Sequence, residues 1–154
     1  MKLFVKWMLF VMMIVCMSGI FMFSSQTGEQ SNNISGTLTE KIAESDLSGD
    51  RIGDSYEERD RFNTALRKYA HFMMFFVLGL LAAAFAQLAF AKLYTRLGYP
   101  LGVSLVWALV DEVHQMYVPG RTGRPMDVLI DFIGALLATA VVAAIAWAVR
   151  RKKV

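Results

Sequence analysis

The sequence has 154 residues, of which 56% are hydrophobic, and its mean hydropathy is positive at +0.44. Such a composition is too apolar for an ordinary soluble domain and indicates a membrane protein. The net charge of +3 is small and gives no reason to expect nucleic-acid binding, and the single cysteine, Cys16, excludes an internal disulfide.

Four apolar segments are long enough, or nearly so, to cross the hydrocarbon core of a bilayer, which takes about 20 residues. The predicted spans cover residues 3–23, 69–90, 97–117 and 128–149, with a polar outer loop at 24–68. The first segment is longer than the apolar part of a signal peptide and no small-residue cleavage site follows it, so we expect it to be retained. Because open sheet edges cannot lie in lipid, the predicted fold is one all-α domain over residues 1–154, a bundle of four transmembrane helices.

Basic residues lie at one set of predicted helix ends and acidic residues at the other. No acidic residue accompanies the first set, which contains Lys2, Lys6, Lys92, Arg96, Arg150, Arg151, Lys152 and Lys153. The positive-inside rule therefore places both termini and the loop at 92–96 in the cytoplasm, and the loops at 24–68 and 117–127 outside. The sequence predicts a multi-pass protein of the cell membrane.

The third predicted span carries charge at its outer end. It is purely apolar only as far as Val110, so it must continue through Asp111 to about Tyr117 to reach the length of a span. The fourth span carries Asp131 one turn from its start. Ionisable groups at membrane depth are costly and mark candidate functional sites.

Polar side chains gather at the outer ends of the last three spans. Helical spacing groups Arg67 with His71, Asp111 with His114 and Gln115, and Asp127 with Asp131, while Glu112 points about 100° away from Asp111. Because the topology brings these ends to one depth, we expect a single candidate ligand-binding cluster near the outer leaflet: Arg67, His71, Asp111, Glu112, His114, Gln115, Arg121, Asp127 and Asp131. Lys68 is expected only to snorkel toward lipid headgroups.

Three chemistries fit this cluster. Two histidines and up to four carboxylates could ligate Zn²⁺ or Mn²⁺, but the histidine spacing matches no standard zinc motif, so we predict no metal or other cofactor. Alternatively, Arg67, Arg121 and Arg124 could hold a phosphate or carboxylate, with His71 as acid or base. In a third, structural interpretation, Arg–Asp pairs fix the loop at 117–127 over the bundle.

Several short motifs carry a resemblance to a known family. They are FSSQ at 23–26, RKYAHF at 67–72, DE-x-HQ at 111–115, PGR at 119–121 and D-x3-D-x2-G at 127–134. In order and spacing they resemble the VanZ-like family of bacterial membrane proteins over nearly the whole chain. The resemblance implies the nine cluster residues as the candidate site and assigns them no catalytic mechanism.

The resemblance also implies a connection with antibiotics. The founding member of the family confers low-level resistance to the lipoglycopeptide teicoplanin and has little effect on vancomycin. The two antibiotics share a peptide-binding cup and differ in an acyl chain, so a protein that affects only teicoplanin is expected to act at the lipid interface. That expectation agrees with a cluster at outer-leaflet depth.

The sequence thus predicts an envelope protein that engages an amphiphilic molecule with an anionic headgroup from the outer leaflet. Its expected partners are membrane lipids, lipid-linked envelope precursors and lipoglycopeptide antibiotics, with no nucleic acid. Two alternatives stay open. One is a membrane-embedded hydrolase or transferase that acts, with or without a metal, on a lipid-linked phosphate or ester, and the other is a non-catalytic subunit of a larger envelope complex.

Overall fold

A computed structural model of the chain describes residues 1–28, 30, 36–37 and 56–152. Within these residues the chain forms four long helices and no strand, which confirms the predicted all-α class. The helices are α1 (Lys2–Ser24), α2 (Tyr56–Ala89), α3 (Leu93–Gln115) and α4 (Pro125–Arg151). Residues 29, 31–35 and 38–55 of the predicted outer loop lie outside the described residues.

Three of the helices are long and apolar enough to cross a membrane, over Leu3–Ser24, Arg61–Ala89 and Pro125–Arg151. α3 has 23 residues, as many as α1, but polar side chains at both of its ends lower its hydropathy. A membrane crossing by α3 and the cytoplasmic position of both termini therefore stay predictions. α2 is longer than a span requires, because its 34 residues correspond to about 50 Å of helix.

The helix boundaries follow from the local sequence. α1 ends where the Ser25 hydroxyl donates a hydrogen bond of 2.7 Å to the carbonyl of Phe21. A short turn separates α2 from α3, and Arg96 Nε stabilises it by donating to the carbonyl of Phe90 at 2.7 Å. α4 begins with Pro125, which suits the first helical turn because an N–H there would have no partner within the helix.

α2 and α4 form the most extensive helix pair in the bundle. A Cβ atom on Gly134 would lie 2.5 Å from the carbonyl oxygen of Phe72. One on Gly79 would lie 2.8 Å from the Cα atom of Ala135. Small residues therefore let the two backbones approach closely, which fixes the spacing of α2 and α4 beside the polar cluster.

One cluster of buried apolar side chains lies between α1, α2 and α3. Its buried side chains are Met13, Ile20, Phe75, Leu78, Ala82 and Ala108. Large apolar side chains are also exposed on each of the four helices, for example Phe4, Val77, Val106 and Leu137. An exterior with this much exposed apolar surface suits contact with lipid.

Candidate functional site

The polar ends of α2, α3 and α4 surround a cavity of about 200 Å³. The loop at 116–124, between α3 and α4, forms part of its wall. Of the nine residues predicted for the cluster, six line this cavity: Arg67, His71, Gln115, Arg121, Asp127 and Asp131. The structure thus brings together side chains that lie far apart in the sequence.

Asp111 is fixed between α1 and α3 behind the cavity. Its side chain is 1% exposed, and its Oδ2 atom accepts hydrogen bonds from Ser24 Oγ at 2.7 Å and Gln115 Nε2 at 2.9 Å. Its Oδ1 atom has no hydrogen-bond partner among the described residues. One carboxylate oxygen is therefore held by two neighbours, while the other is buried and unsatisfied.

His71 lies between two buried carboxylates that belong to different helices. Its Nδ1 atom is 3.9 Å from Oδ2 of Asp111 and 3.9 Å from Oδ2 of Asp131. Both distances are too long for hydrogen bonds. Asp131 is 4% exposed, and within the described ranges its Oδ1 atom has no partner. We call His71, Asp111 and Asp131 the buried triad.

Arg67 and Arg121 reach the cavity without a carboxylate partner. Arg67 Nη2 lies 3.3 Å from the hydroxyl of Thr64. Arg121 is half-buried, and its Nε and Nη2 atoms have no hydrogen-bond partner in the part of the chain that the structure describes. No described arginine lies within ion-pair distance of an aspartate, so the Arg–Asp pairs of the structural interpretation are not found among the described residues.

The electrostatic setting of Arg121 favours an anion nearby. Burial lowers the pKa of Arg121 from its ordinary value and the positive charge of Arg67 lowers it further, while the more weakly acting carboxylates of Asp111 and Glu112 raise it. The guanidinium still stays charged at neutral pH, because its ordinary pKa is far above that range. Two neighbouring cations that are partly removed from water repel each other, and an anion between them would relieve this repulsion.

Lys68 pairs with Asp127 at the edge of the cavity. The Lys68 Nζ atom is 2.9 Å from Oδ1 of Asp127, and both side chains are about one third exposed. The sequence analysis expected Lys68 only to extend toward lipid headgroups. The structure shows that it also forms an ion pair. The pair neutralises the negative charge of Asp127. Among the described residues that line the cavity, the cations without a carboxylate partner are then Arg67, Arg121 and the exposed Arg124.

The loop at 116–124 is held so that Arg121 faces the cavity. The N–H of Gly28 donates to the carbonyl of Pro119 at 3.1 Å, which ties the loop to the chain that follows α1. Gly120 has a φ of 75°, a left-handed conformation that glycine adopts without steric cost. A Cβ atom on Gly28 would lie 2.4 Å from the carbonyl oxygen of Gly120, so glycine is required on both sides of this contact.

Glu112 anchors the other end of this loop and does not line the cavity. It is 8% exposed, and its Oε1 atom accepts a hydrogen bond from the backbone N–H of Arg124. The sequence analysis placed Glu112 in the ligand-binding cluster. Its contact instead fixes the segment that leads from α3 to α4.

His114 lies outside the cavity, against α1. Its Nε2 atom is 3.0 Å from the Ser25 hydroxyl, and its ring stacks on Phe21 with 4.1 Å between the ring centres. The Ser25 hydroxyl therefore contacts both the Phe21 carbonyl and the His114 ring. His114 and Gln115 point to opposite sides of Asp111 because successive helical residues are about 100° apart.

Some cavity residues were missed by the sequence analysis. Thr64 and Lys68 lie on the same face of α2 as His71, and their spacing of four and three residues could have revealed this. The contact of Ser24 with Asp111 joins α1 to α3, and no sequence spacing could have revealed it.

The cavity has a cationic wall and an anionic floor. Arg67 and Arg121 supply the wall, where bidentate guanidinium groups can bind a phosphate or carboxylate. His71 and Asp131 of the buried triad supply the floor, with Asp111 behind them, and this imidazole nitrogen and these carboxylate oxygens can hold a proton or a cation.

Comparison with known proteins identifies the family. No curated protein and no solved structure matches the chain. The family described as VanZ/LLP1 matches residues 9–147, which include the whole cavity and most of each helix, and this confirms the resemblance carried by the motifs. The chain therefore belongs to the VanZ/LLP1 family, and its apolar helices are those of a membrane protein.

Proposed function

We propose that this protein binds an amphiphilic molecule by its anionic headgroup, with Arg67 and Arg121 as the groups that contact the anion. The observation that carries the proposal is that both guanidinium groups line one cavity and neither has a carboxylate partner among the described residues. Buried donors without acceptors cost free energy, which a phosphate or carboxylate would recover by accepting their hydrogen bonds.

The size of the cavity supports a headgroup as the bound part. Its volume of about 200 Å³ is below the range of roughly 300–1,000 Å³ that suits a complete drug-sized ligand. Exposed apolar side chains lie near the same end of the bundle, among them Tyr69, Met126 and Leu129. The headgroup would occupy the cavity, and the acyl chain would remain against this apolar exterior in the lipid.

Direct binding to purified protein tests the proposal. The full chain, in an uncharged maltoside detergent, would be titrated with dodecyl phosphate by calorimetry. Arg67→Gln and Arg121→Gln should each weaken binding by about ten-fold or more, because a hydrogen bond to a charged group contributes about 1.5–3 kcal/mol. Arg61→Gln is the matched control, since Arg61 is exposed on α2, does not line the cavity and carries the same charge. Equal affinity in all three variants would refute the proposal.

We propose further that the cavity faces the outer leaflet and that the bound amphiphiles include lipid-linked envelope precursors or lipoglycopeptides. The charge asymmetry of the chain supports this orientation, because basic residues collect at the opposite helix ends. Family membership supports a connection with teicoplanin.

A susceptibility measurement tests the cellular role. A Gram-positive host would express wild type or Arg121→Gln at matched membrane levels and would be exposed to teicoplanin and vancomycin in parallel. We expect wild type to protect against teicoplanin alone and the variant to lose protection. Absence of protection from well-expressed wild type would remove the antibiotic from the proposal, whereas the titration would still decide whether an anion is bound.

A second candidate function is hydrolysis or group transfer on a lipid-linked phosphate or ester. The observation that favours it is the position of His71, which lines the cavity beside both arginines and has a buried carboxylate on either side. An imidazole in that position can transfer protons to or from a bound ester. Catalysis predicts that His71→Gln abolishes turnover of a lipid phosphate while dodecyl phosphate still binds, whereas no turnover by wild type would refute it.

A further inference from the structure

The buried triad has the geometry of a metal-binding site. His71 on α2, Asp111 on α3 and Asp131 on α4 each offer one ligand atom, and these three atoms lie within 4.8 Å of one another. Zinc and manganese bind nitrogen and carboxylate oxygen at about 2.0–2.2 Å, which places neighbouring ligand atoms about 3–3.5 Å apart. Shifts of about half an ångström would therefore bring the triad into coordination distance.

The charges of the triad call for a cation. Two carboxylates are almost completely buried, and each has an Oδ1 atom without a hydrogen-bond partner in the described ranges. No lysine or arginine of the described residues lies within ion-pair distance of Asp111 or Asp131. His71 is too distant to hydrogen-bond to either carboxyl group, so both Oδ1 atoms remain open to a ligand or ion.

Neighbouring side chains also hold one ligand in place, as in many metal sites. Ser24 and Gln115 both donate to Oδ2 of Asp111, which fixes the orientation of this carboxylate. His71 and Asp131 line the cavity, so an ion bound by the triad would be accessible from it. Three protein ligands with one open position are characteristic of zinc sites that bind water or a further ligand.

We propose that His71, Asp111 and Asp131 bind one divalent transition-metal ion, Zn²⁺ or Mn²⁺, at the floor of the cavity. The sequence had predicted no metal because standard zinc motifs place ligands close together in the chain, whereas this set comes from three helices. His114, the second histidine, takes no part because it contacts α1. The metal site does not depend on anion binding by the arginines.

Metal analysis of the purified full chain tests this inference. Protein prepared without chelators should contain about one Zn²⁺ or Mn²⁺ per chain by elemental mass spectrometry. His71→Gln and Asp131→Asn should reduce the metal content at least ten-fold, because even the loss of a hydrogen-bond partner of a ligand lowers metal affinity by about 10–100-fold. His114→Gln replaces the other histidine and should keep the full content.

A second measurement keeps the test decisive where a variant is unstable. Chelator-treated wild type would be titrated with Zn²⁺ and, separately, with Mn²⁺ while its melting temperature is followed, and one of the two ions should raise it to a saturating value. Metal that persists in both triad variants is bound elsewhere and would overturn the inference. Wild type that contains no metal and gives no thermal shift with either ion would overturn it as well.

These results can be separated from the proposed function. Arg67→Gln and Arg121→Gln should retain the metal and bind dodecyl phosphate more weakly than wild type. Chelator-treated wild type should lose the metal and keep a measurable affinity for dodecyl phosphate. Failure of one proposal would therefore leave the other to be judged on its own measurement.

Discussion

The two ends of the bundle accommodate charge in opposite ways. At the basic end, formed by residues 87–99 and 147–152, cations find neutral partners near the surface: Arg150 Nη2 donates to Gln87 at 2.5 Å, and the Arg151 guanidinium lies 4.3 Å from the ring centre of Trp147. At the site end, which contains the cavity, Asp131 and Arg121 have buried polar atoms without a partner among the described residues.

This difference separates charge that orients a membrane protein from charge that serves a site. Exposed cations at a helix end interact with lipid headgroups and water, so they need no further ligand. Burial of an ionisable group without a partner costs free energy, and such groups are found mainly where they bind a ligand or an ion. The described contacts therefore support our proposal of a ligand site at the site end, and the basic end agrees with the predicted topology.

Charge reversal is the strongest way to test this difference. Arg121→Glu replaces a cavity cation with an anion, so we expect the affinity for dodecyl phosphate to fall by about 100-fold or more. Loss of the hydrogen bond to a charged group costs about 1.5–3 kcal/mol, and repulsion between the new carboxylate and the phosphate adds to this cost. Arg150→Glu makes the same change at the basic end and should leave the affinity unaltered. Equal losses in calorimetric titrations would show that net charge, rather than the cavity, attracts the ligand.

Ser24 and Ser25 offer a comparison between a buried and an exposed hydroxyl. Ser24→Ala removes a donor to the buried Asp111 carboxylate and should lower the free energy of unfolding by about 1.5–3 kcal/mol. Ser25→Ala removes an exposed hydroxyl whose contacts with Phe21 and His114 compete with water, so it should lower this free energy by less than about 1 kcal/mol. Denaturant titrations in detergent would measure both, and a larger effect at Ser25 would contradict the role given to Ser24.

Substitution of two glycines tests how closely the backbones pack at the site end and at the basic end of the bundle. Gly134→Ala would place a methyl group 2.5 Å from the carbonyl oxygen of Phe72, and overpacking of this kind costs about 1–3 kcal/mol. Gly98→Ala is the control near the basic end, where a Cβ atom meets nothing within 4 Å. A lower melting temperature for Gly134→Ala alone is expected. Equal melting temperatures would mean that α2 and α4 are not held as closely as described.

The smallest predicted effect concerns the ion pair at the cavity edge. Asp127→Asn frees Lys68 and removes a negative charge, so the affinity for dodecyl phosphate should rise by about two- to five-fold, since a partly exposed charge contributes up to about 1 kcal/mol. Glu57→Gln makes the same charge change at an exposed position of α2 and should have no effect. A fall in affinity for Asp127→Asn would instead mean that the pair holds the cavity wall in place.

The general plan of the fold was predictable because apolar length and charge bias are properties of the sequence. Long apolar runs predicted the helices, and the expected common depth of their polar ends predicted one polar cluster, of which Arg67, His71 and Asp131 line the cavity. The α3 span was harder, because its polar ends reduce the hydropathy that would identify it.

Side-chain partners were less predictable because they depend on helix rotation. A rotation of about 100° separates His114, which contacts α1, from Gln115, which lines the cavity. The turn of the loop likewise brings the backbone N–H of Arg124 to the Glu112 side chain. Helical spacing in the sequence could not predict this contact. Ligands from three helices form the buried triad, so a search for a local zinc motif could not find it.

Photolabelling would test the central claim most directly, because it reports which end of the bundle holds the anion. A dodecyl phosphate analogue with a diazirine beside the phosphate would be bound to the full chain, activated by light and located by peptide mass spectrometry. The account predicts labels within residues 64–71 and 120–131 that disappear in Arg121→Glu. Labels within residues 87–99 or 147–152, or labels that Arg121→Glu leaves unchanged, would contradict it.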